Sequence, residues 1–279
     1  MAELYENSYN NKNHFSFGKN WQSFLKTLDD KRINEAKKSL VNFLGGEEKI
    51  KGKTFVDIGC GSGLFSLSAY LIGASKVVSV DVDDFSVTCV KHLKEKQNNP
   101  PRWEIIKGSA LDENFIKSLG QFDIVYSWGV LHHTGDMHKA FENITLLTHE
   151  LSQLYLAIYN DNKLFFEGSS SFWLKVKRLY NKSSRITKRI MEGIYIAYFV
   201  CGLASHFINP ITYIRNYQSL RGMNFFTDIK DWLGGYPYEY ASTETIVNHF
   251  KNLDFMCAKT IPARSIGCNE FLFIKITRN

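Results

Sequence analysis

The sequence lacks paired cysteines. Its five cysteines form no C-x-x-C pair and are scattered along the 279 residues, at Cys60, Cys89, Cys201, Cys257 and Cys268. An odd, unpatterned set is typical of reduced thiols and argues against a disulfide framework and a zinc site. We therefore expect a cytoplasmic protein without a metal centre.

A secretory signal and a strong excess of one charge are also lacking. Residues 1–13 are polar and contain no apolar h-region, so we expect no secretory signal. We find no internal repeat, and 44% hydrophobic with 22% charged residues is ordinary globular composition, enough for one sizeable core. A formal net charge of +6 is compatible with an anionic substrate but too weak alone to indicate nucleic acid.

What the sequence does contain is a glycine turn between a predicted strand and a predicted helix. Thr54–Ile58 is a short apolar run with one acid, Asp57, and is followed by alternating glycines up to Gly63. Residue 64, where a dinucleotide fingerprint requires its third glycine, is Leu64. A carboxylate at this turn would repel a pyrophosphate and suit a cationic ligand group.

Three further strands end in polar or glycine-containing loops. Lys76–Asp81 ends in an acid 22 residues beyond Gly59, where an acid meets ribose hydroxyls in Rossmann-like sites. Trp103–Lys107 is followed by Gly-Ser-Ala, and Phe122–Ser127 by Trp-Gly-Val-Leu-His-His. Ligands of open α/β sheets bind at such carboxyl ends, so His132 and His133 are the best candidates for a general base.

In order and spacing, these four points resemble the class I S-adenosylmethionine (SAM) methyltransferases. The resemblance implies a Rossmann-like, seven-stranded, mostly parallel sheet with an antiparallel last strand and helices on both faces. SAM is the implied cofactor, with its methionine end on the glycine loop, its ribose on Asp81 and its adenine near Ser109. The implied cofactor-binding residues are Asp57, Gly59, Cys60, Gly61, Ser62, Gly63, Asp81, Val82, Ser109, Ala110, Trp128, Gly129 and, in a lid, Trp21.

The chain divides into three predicted parts. Residues 51–160 and 242–279 form the predicted SAM-binding core, with the last two strands as a hairpin, and residues 1–50 form an N-terminal lid or cap. Residues 161–241 are too long for one loop, so they are predicted to be a helical, substrate-binding insertion. The predicted substrate-binding residues are Tyr159, Asn160, Arg221, Trp232 and Tyr236.

The insertion contains a basic segment followed by an apolar one. Seven positive charges and no acid lie between residues 175 and 189, and residues 194–208 are rich in Ile, Tyr and Phe. This pattern is compatible with peripheral contact with a membrane, but residues 194–208 are too short and interrupted to span one. The interpretation that we favour is a solvated basic face beside a buried helix or a dimer contact. The sequence leaves the oligomeric state open.

The predicted function is SAM-dependent methyl transfer, with His132 or His133 as the base. Short stretches such as Phe17–Trp21 and Gly234–Glu239 resemble a bacterial subgroup associated with surface-polysaccharide and small-molecule tailoring. This favours O-methylation of a polar, anionic small molecule, such as an activated sugar or phosphorylated metabolite. The alternatives are a quinol or lipid-linked acceptor at a membrane surface and RNA, for which the basic segment is the only support.

Overall fold

The computed structural model of the chain describes residues 18, 21, 25, 28–163, 168–221 and 225–276, without the side chains of 218–221 and 227. Within these residues the chain forms one seven-stranded sheet, in the order β3-β2-β1-β4-β5-β7-β6. Its strands are β1 (Thr54–Ile58), β2 (Lys76–Asp81), β3 (Trp103–Lys107), β4 (Phe122–Trp128), β5 (Thr148–Tyr159), β6 (Phe255–Ile261) and β7 (Cys268–Lys275). β1 to β5 pair in parallel, and β7 is antiparallel to both β5 and β6. The predicted fold class is confirmed.

The predicted bounds of β1, β2 and β3 agree with the structure, but β5 begins earlier than expected. Its continuous apolar run, from which a strand of residues 154–159 is predicted, begins at Leu154, whereas the strand starts at Thr148. Its first residues are partly polar and pair irregularly with β4, because the register shifts between Phe122 and Ile124. A half-exposed strand with a register shift lacks the continuous apolar run of a buried one.

Helices cover both faces of the sheet. The helices of the core are α1 (Asp30–Leu44), α2 (Leu64–Ile72), α3 (Asp84–Lys96), α4 (Glu113–Ser118) and α5 (Met137–Thr145). Four helices of the 161–241 segment follow, α6 (Ser170–Lys182), α7 (Arg185–Ser205), α8 (Pro210–Arg221) and α9 (Phe225–Gly234), and then α10 (Thr243–Asn252). One apolar cluster joins α4, α5 and α10 to the sheet, and a second joins α1, α2 and α3 to its other face.

The helices α6 to α9 share a third, aromatic cluster that includes Trp173, Tyr217, Phe225 and Tyr238. α7 differs from its expected burial. Of its 21 residues, all of which the structure describes, only Leu203 is buried. The single chain therefore does not contain the buried helix that we expected here. The apolar side chains of α7 are distributed around the helix, and many of them face outward.

No single helix in the described part of the chain is long and apolar enough to cross a bilayer. Together, α7 and the segment Pro210–Tyr217 meet this criterion of length and composition, but they are bent by 117° relative to each other.

Candidate functional site

A cavity of about 1120 Å³ opens at the carboxyl ends of β1, β2 and β4. This is where parallel strands leave room for a ligand between the loops that follow them. Core residues line one part of the cavity and residues of α6 to α9 line another. The volume exceeds the roughly 300–1,000 Å³ of a typical site for one small ligand, so it has room for a cofactor and an acceptor side by side.

The glycine loop after β1 forms the floor of the cofactor part. Gly59 and Gly61 have φ angles of +76° and +52°, a conformation that side chains disfavour. A Cβ atom on Gly59 would lie 2.3 Å from Val130 Cγ1, and one on Gly61 would lie 2.9 Å from Trp21 Nε1. These two positions therefore require glycine both for backbone conformation and for space.

Asp57 lies near the end of β1. It is buried from solvent but is one of the residues that line the cavity. Its Oδ2 accepts a hydrogen bond from Ser66 Oγ at 2.6 Å, and Ser66 in turn accepts one from Ser79 Oγ. Burial raises the pKa of the Asp57 carboxyl to about 7, against the lowering effect of the Ser66 hydrogen bond, and nearby Asp81 raises it further. A buried acid with a raised pKa in a cleft is suited to a cationic ligand.

Asp81 ends β2 and faces the same part of the cavity. Each of its carboxylate oxygens accepts one backbone N–H, from Gly61 and from Asp83, both at 2.9 Å. Burial raises its pKa to about 6, although both backbone bonds lower it. Because a carboxylate oxygen has a second acceptor position, both oxygens retain the capacity to bind a ligand hydroxyl.

The structure places most of the predicted cofactor-binding residues around this part of the cavity. Gly63 is the exception, because it lies behind the loop as the N-cap of α2, and a Cβ atom there would meet Val90. Ser109 Oγ accepts a hydrogen bond from Leu111 N at 3.1 Å, so this hydroxyl shapes its own loop. The other predicted residues that line the cavity are Trp21, Asp57, Gly59, Cys60, Gly61, Ser62, Asp81, Val82, Ala110, Trp128 and Gly129.

The two adjacent histidines have different environments. His133 lines the cavity, and its Nδ1 lies 2.5 Å from the carbonyl oxygen of Pro237. A carbonyl only accepts, so Nδ1 carries the proton and the acceptor lone pair of the neutral ring is on Nε2. Position and tautomer are those that a general base requires.

His132 is fully buried and is not among the residues that line the cavity. Its Nδ1 accepts a hydrogen bond from Tyr159 N at 3.3 Å, and its ring packs on the Tyr159 ring at a centroid distance of 4.0 Å. Burial lowers the pKa of His132 well below its usual range, and the nearby His133 and Lys177 lower it further. His132 is therefore a neutral packing residue beneath the site.

The segment after α9 connects the insertion to the histidines. Pro237 O accepts from His133, Glu239 N donates to the His132 carbonyl at 2.9 Å, and Glu239 Oε1 accepts from Met137 N at 3.2 Å. From this segment the sequence predicted Tyr236 as a substrate-binding residue. Tyr236 does line the cavity, but Pro237 and Glu239 hold the histidine loop, a role that no pattern in the sequence indicates.

The acceptor part of the cavity is aromatic and contains two acids, Asp228 and Asp231. Tyr217 donates a hydrogen bond to Asp228 Oδ2. Among the described residues that line the cavity there is no lysine or arginine. The aromatic residues of this part are Tyr159, Trp173, Tyr195, Tyr198, Phe199, Tyr213, Tyr217, Phe225, Trp232 and Tyr236.

Two predicted substrate-binding residues are not seen in this lining. Asn160 holds the loop before β7, since its Nδ2 donates to Ser265 O at 2.8 Å and its Oδ1 accepts from Gly267 N at 3.2 Å. The side chain of Arg221 lies outside the described part of the chain. Sequence reasoning missed Trp173, Tyr195 and Phe199, because aromatic residues at helical spacing usually indicate an internal core.

The residues of the cofactor part fit SAM. Two buried carboxylates face a cleft where the ligand would bring positive charge and ribose hydroxyls, and the glycine positions leave the backbone bare. Within the described residues, no group of three or more His, Cys, Asp or Glu side chains is arranged to hold a metal ion.

Comparison with known proteins agrees with this assignment. Residues 56–155 match the family model described as a methyltransferase domain. The ribosomal protein L11 methyltransferase of Thermotoga maritima is 33% identical over 114 residues, which are 40% of this chain and 39% of that protein. The curated relatives are thus matched over well under two thirds of their length.

Solved structures share the fold at low sequence identity. The magnesium protoporphyrin IX methyltransferase of Synechocystis PCC 6803 with bound SAH has a TM-score of 0.55 at 14% identity, over 99% of this chain and 100% of that one. PKMT2 of Rickettsia typhi in complex with AdoHcy has a TM-score of 0.56 at 12% identity, over 82% of this chain and 51% of that one. The fold, the glycine loop and the domain match support a class I SAM-dependent methyltransferase, with SAM as the predicted cofactor.

Proposed function

We propose that this protein transfers a methyl group from SAM to a hydroxyl group of a small molecule with an apolar, ring-containing body and no net negative charge. Quinols and other hydroxylated aromatic compounds are the class that fits. The observation that carries this proposal is the acceptor part of the cavity, which is lined by aromatic side chains. It is continuous with the cofactor part and has no described lysine or arginine in its lining. Aromatic side chains stack on flat rings, and carboxylates accept hydrogen bonds from hydroxyl groups.

In the proposed reaction, the residues of this chain bind, orient and deprotonate. When bound, SAM supplies an electrophilic methyl group and leaves as S-adenosylhomocysteine. Asp57 and the glycine loop hold the methionine end, and Asp81 holds the ribose. The aromatic part of the cavity would hold the acceptor hydroxyl beside the cofactor part. His133 Nε2 would accept the proton that the acceptor hydroxyl loses when it is methylated.

The sequence favoured an anionic acceptor, such as an activated sugar in surface-polysaccharide synthesis. In the described lining, a phosphate group would meet the acids Asp228 and Asp231 and no lysine or arginine side chain. We therefore favour the alternative acceptor, the quinol class. The Thermotoga maritima relative named for ribosomal protein L11 is matched over 114 residues, and the described helices of the insertion lie outside the methyltransferase-domain match at 56–155.

The acceptor class is tested with matched pairs of compounds. The protein is incubated with SAM and a hydroquinone, a catechol or a neutral phenol, and in parallel with the phosphate ester of each compound and with sugar nucleotides. Mass spectrometry then detects the gain of one CH₂ group. We expect methylation of the hydroxylated rings and none of their phosphate esters. Methylation of sugar nucleotides alone would refute the proposed acceptor class.

The base is tested separately with His133→Ala. We expect kcat to fall by about 10²–10⁴-fold, because the hydroxyl proton then has no positioned acceptor. His138→Ala is the matched control, since His138 is exposed and does not line the cavity. An unchanged kcat for His133→Ala would show that the acceptor loses its proton before it binds.

A further inference from the structure

The outer face of α7 exposes a row of large apolar side chains, which is unusual for a helix on the surface of a globular protein. Ile186, Ile190 and Ile194 follow each other at four-residue spacing, and they are 74%, 57% and 65% exposed. Four residues correspond to slightly more than one helical turn, so the three side chains form one stripe along the helix. Contiguous exposed apolar surface of this kind marks an interaction site.

Further exposed apolar side chains lie past the end of α7, in the turn before α8 and in the first turn of α8. Phe207 is 99% exposed there, with a φ of +58°, and Ile211 in the first turn of α8 is 72% exposed. A large aromatic side chain so fully exposed at a helical bend contributes nothing to the packing of the described part of the chain. We define the docking surface as Ile186, Ile190, Ile194, Phe207, Ile208 and Ile211.

Positive charge lies directly beside this surface. Arg185 and Arg189 are exposed, and at 100° per residue Arg189 lies about 60° around the helix from Ile186, on the flank of the isoleucine stripe. Only one acid, Glu192, occurs from residue 168 to residue 221, and its Oε1 accepts a hydrogen bond from Tyr180 OH at 2.6 Å. The outward side of this helix pair is therefore apolar and basic.

We propose that the docking surface binds the interface of an anionic phospholipid membrane, with α7 lying in the plane of the interface. An apolar stripe with arginine on its flank uses both the acyl boundary and the anionic headgroups. A second copy of the chain would bring the same arginines close to each other, and RNA would leave the isoleucines in water. The described helices do not span a bilayer singly, which agrees with a surface position.

The placement of α7 also relates the membrane to the cavity. Tyr195, Tyr198 and Phe199 of this helix line the acceptor part of the cavity, while the isoleucine stripe faces outward. A membrane in contact with the outer face of α7 would therefore lie next to the wall of the acceptor part of the cavity. The docking surface itself is argued from exposure and charge and does not depend on the proposed acceptor.

The test is vesicle flotation of the full chain. Vesicles of phosphatidylcholine with about one third phosphatidylglycerol are compared with pure phosphatidylcholine, at low and at high salt. We expect at least about tenfold tighter binding to the anionic vesicles, and weaker binding in high salt, because several arginines and lysines contribute to the attraction. Absence of binding to the anionic vesicles would overturn the proposal.

Two variants locate the surface. Ile190→Glu combined with Phe207→Glu is expected to lower vesicle binding by at least about tenfold, because both positions would carry charge into the acyl boundary. Leu151→Glu is the matched control, since Leu151 is 72% exposed but lies at the start of β5, and it should bind vesicles like the unmodified chain. Equal binding by the double variant would refute the assignment to α7.

Folding and self-association are monitored in the same proteins. Circular dichroism and SAM calorimetry show whether the double variant is folded, and a folded variant that binds SAM but not vesicles supports the proposal. Light scattering gives the oligomeric state. A dimer of the unmodified chain that the double variant converts to monomers, without vesicle binding by either, would assign the surface to a second copy. These experiments do not measure methyl transfer. Their outcome is therefore independent of whether the proposed acceptor class is right.

Discussion

Asp57 and Asp81 are two buried carboxyls that line the same cleft. Burial and mutual repulsion make it unfavourable for both to be ionised there without a ligand. Each is held by hydrogen bonds, Asp57 from Ser66 and Asp81 from the amides of Gly61 and Asp83. Burial nevertheless raises the pKa of both carboxyls. A ligand that brings positive charge and hydroxyl donors offsets this cost, and so the two acids favour SAM over a pyrophosphate-containing cofactor.

Replacement of Asp81 by asparagine should weaken SAM binding by about 10–100-fold, because a hydrogen bond to a charged acceptor contributes about 1.5–3 kcal/mol. Isothermal calorimetry measures the dissociation constant. Asp84→Asn is the control, since Asp84 is exposed, pairs with Lys107 on the surface and is absent from the cavity lining. Equal SAM affinity of Asp81→Asn and the unmodified protein would remove Asp81 from the site.

The same carboxyls should make SAM binding depend on pH. In the folded, ligand-free protein their pKa values of about 7 and about 6 lie above the ordinary value of 3.8, so they hold protons in mildly acidic solution. A cationic ligand favours the ionised form, so binding releases protons and affinity rises as pH increases through this range. We expect SAM affinity to rise by about tenfold or more from pH 5.5 to pH 8.

Calorimetry in two buffers of different ionisation enthalpy measures the released protons. Asp57→Asn should remove most of the release, because Asp57 has the higher of the two pKa values. A SAM affinity that stays constant across this pH range would show that the two acids do not titrate on binding.

At the scale of elements, the loop between β1 and α2 depends on glycine for two separable reasons. Gly59→Ala should destabilise the fold by about 1–2 kcal/mol through its left-handed backbone conformation and should also displace Val130. Gly120→Ala is the control, because Gly120 has nearly the same φ, +79°, and a Cβ atom added there would meet nothing within 4 Å. Thermal unfolding should shift for both variants, but only Gly59→Ala should lose SAM affinity. Equal SAM affinities would refute a steric requirement at Gly59.

Elements with a continuous apolar run were predictable from the sequence, and so were the residues at their ends. Buried parallel strands such as β1 and β2 have a simple pattern, and their order along the chain predicts which loops meet. Gly63, His132 and Asn160 show the limit of that reasoning. Each is adjacent to a residue that lines the cavity, but the exact orientation of neighbouring side chains at a strand end depends on packing that the sequence pattern does not contain.

At the scale of the whole molecule, the described helices of the insertion provide the acceptor part of the cavity and the exposed face of α7. The sequence predicted that this segment is helical and binds substrate, but its aromatic residues are as typical of a core as of a chamber. The position of Pro237 against His133 joins residues 104 positions apart. Such long-range contacts follow from the packing of the insertion on the sheet, and local patterns do not predict them.

That packing includes a fully buried lysine, which should make the stability of the whole chain depend on pH. Lys177 donates a hydrogen bond to Trp232 O and lies over the Trp232 and Tyr238 rings, with 4.0 Å and 4.9 Å from Nζ to the ring centroids. Burial lowers its pKa from 10.5 to about 7, although Asp231 raises it. Between these pH values the unfolded chain binds more protons than the folded chain, so the free energy of unfolding increases with pH.

Lys177→Met should remove this dependence, because methionine fills a similar space and carries no charge. The unmodified protein should gain up to about 1.4 kcal/mol per pH unit between pH 7 and pH 9 relative to the variant, as measured by urea unfolding. Lys175→Met is the control, since Lys175 is exposed on the same helix, and its stability should follow that of the unmodified chain. Parallel curves for Lys177→Met and the unmodified chain would mean that Lys177 keeps its ordinary pKa, and that the insertion opens enough to hydrate it.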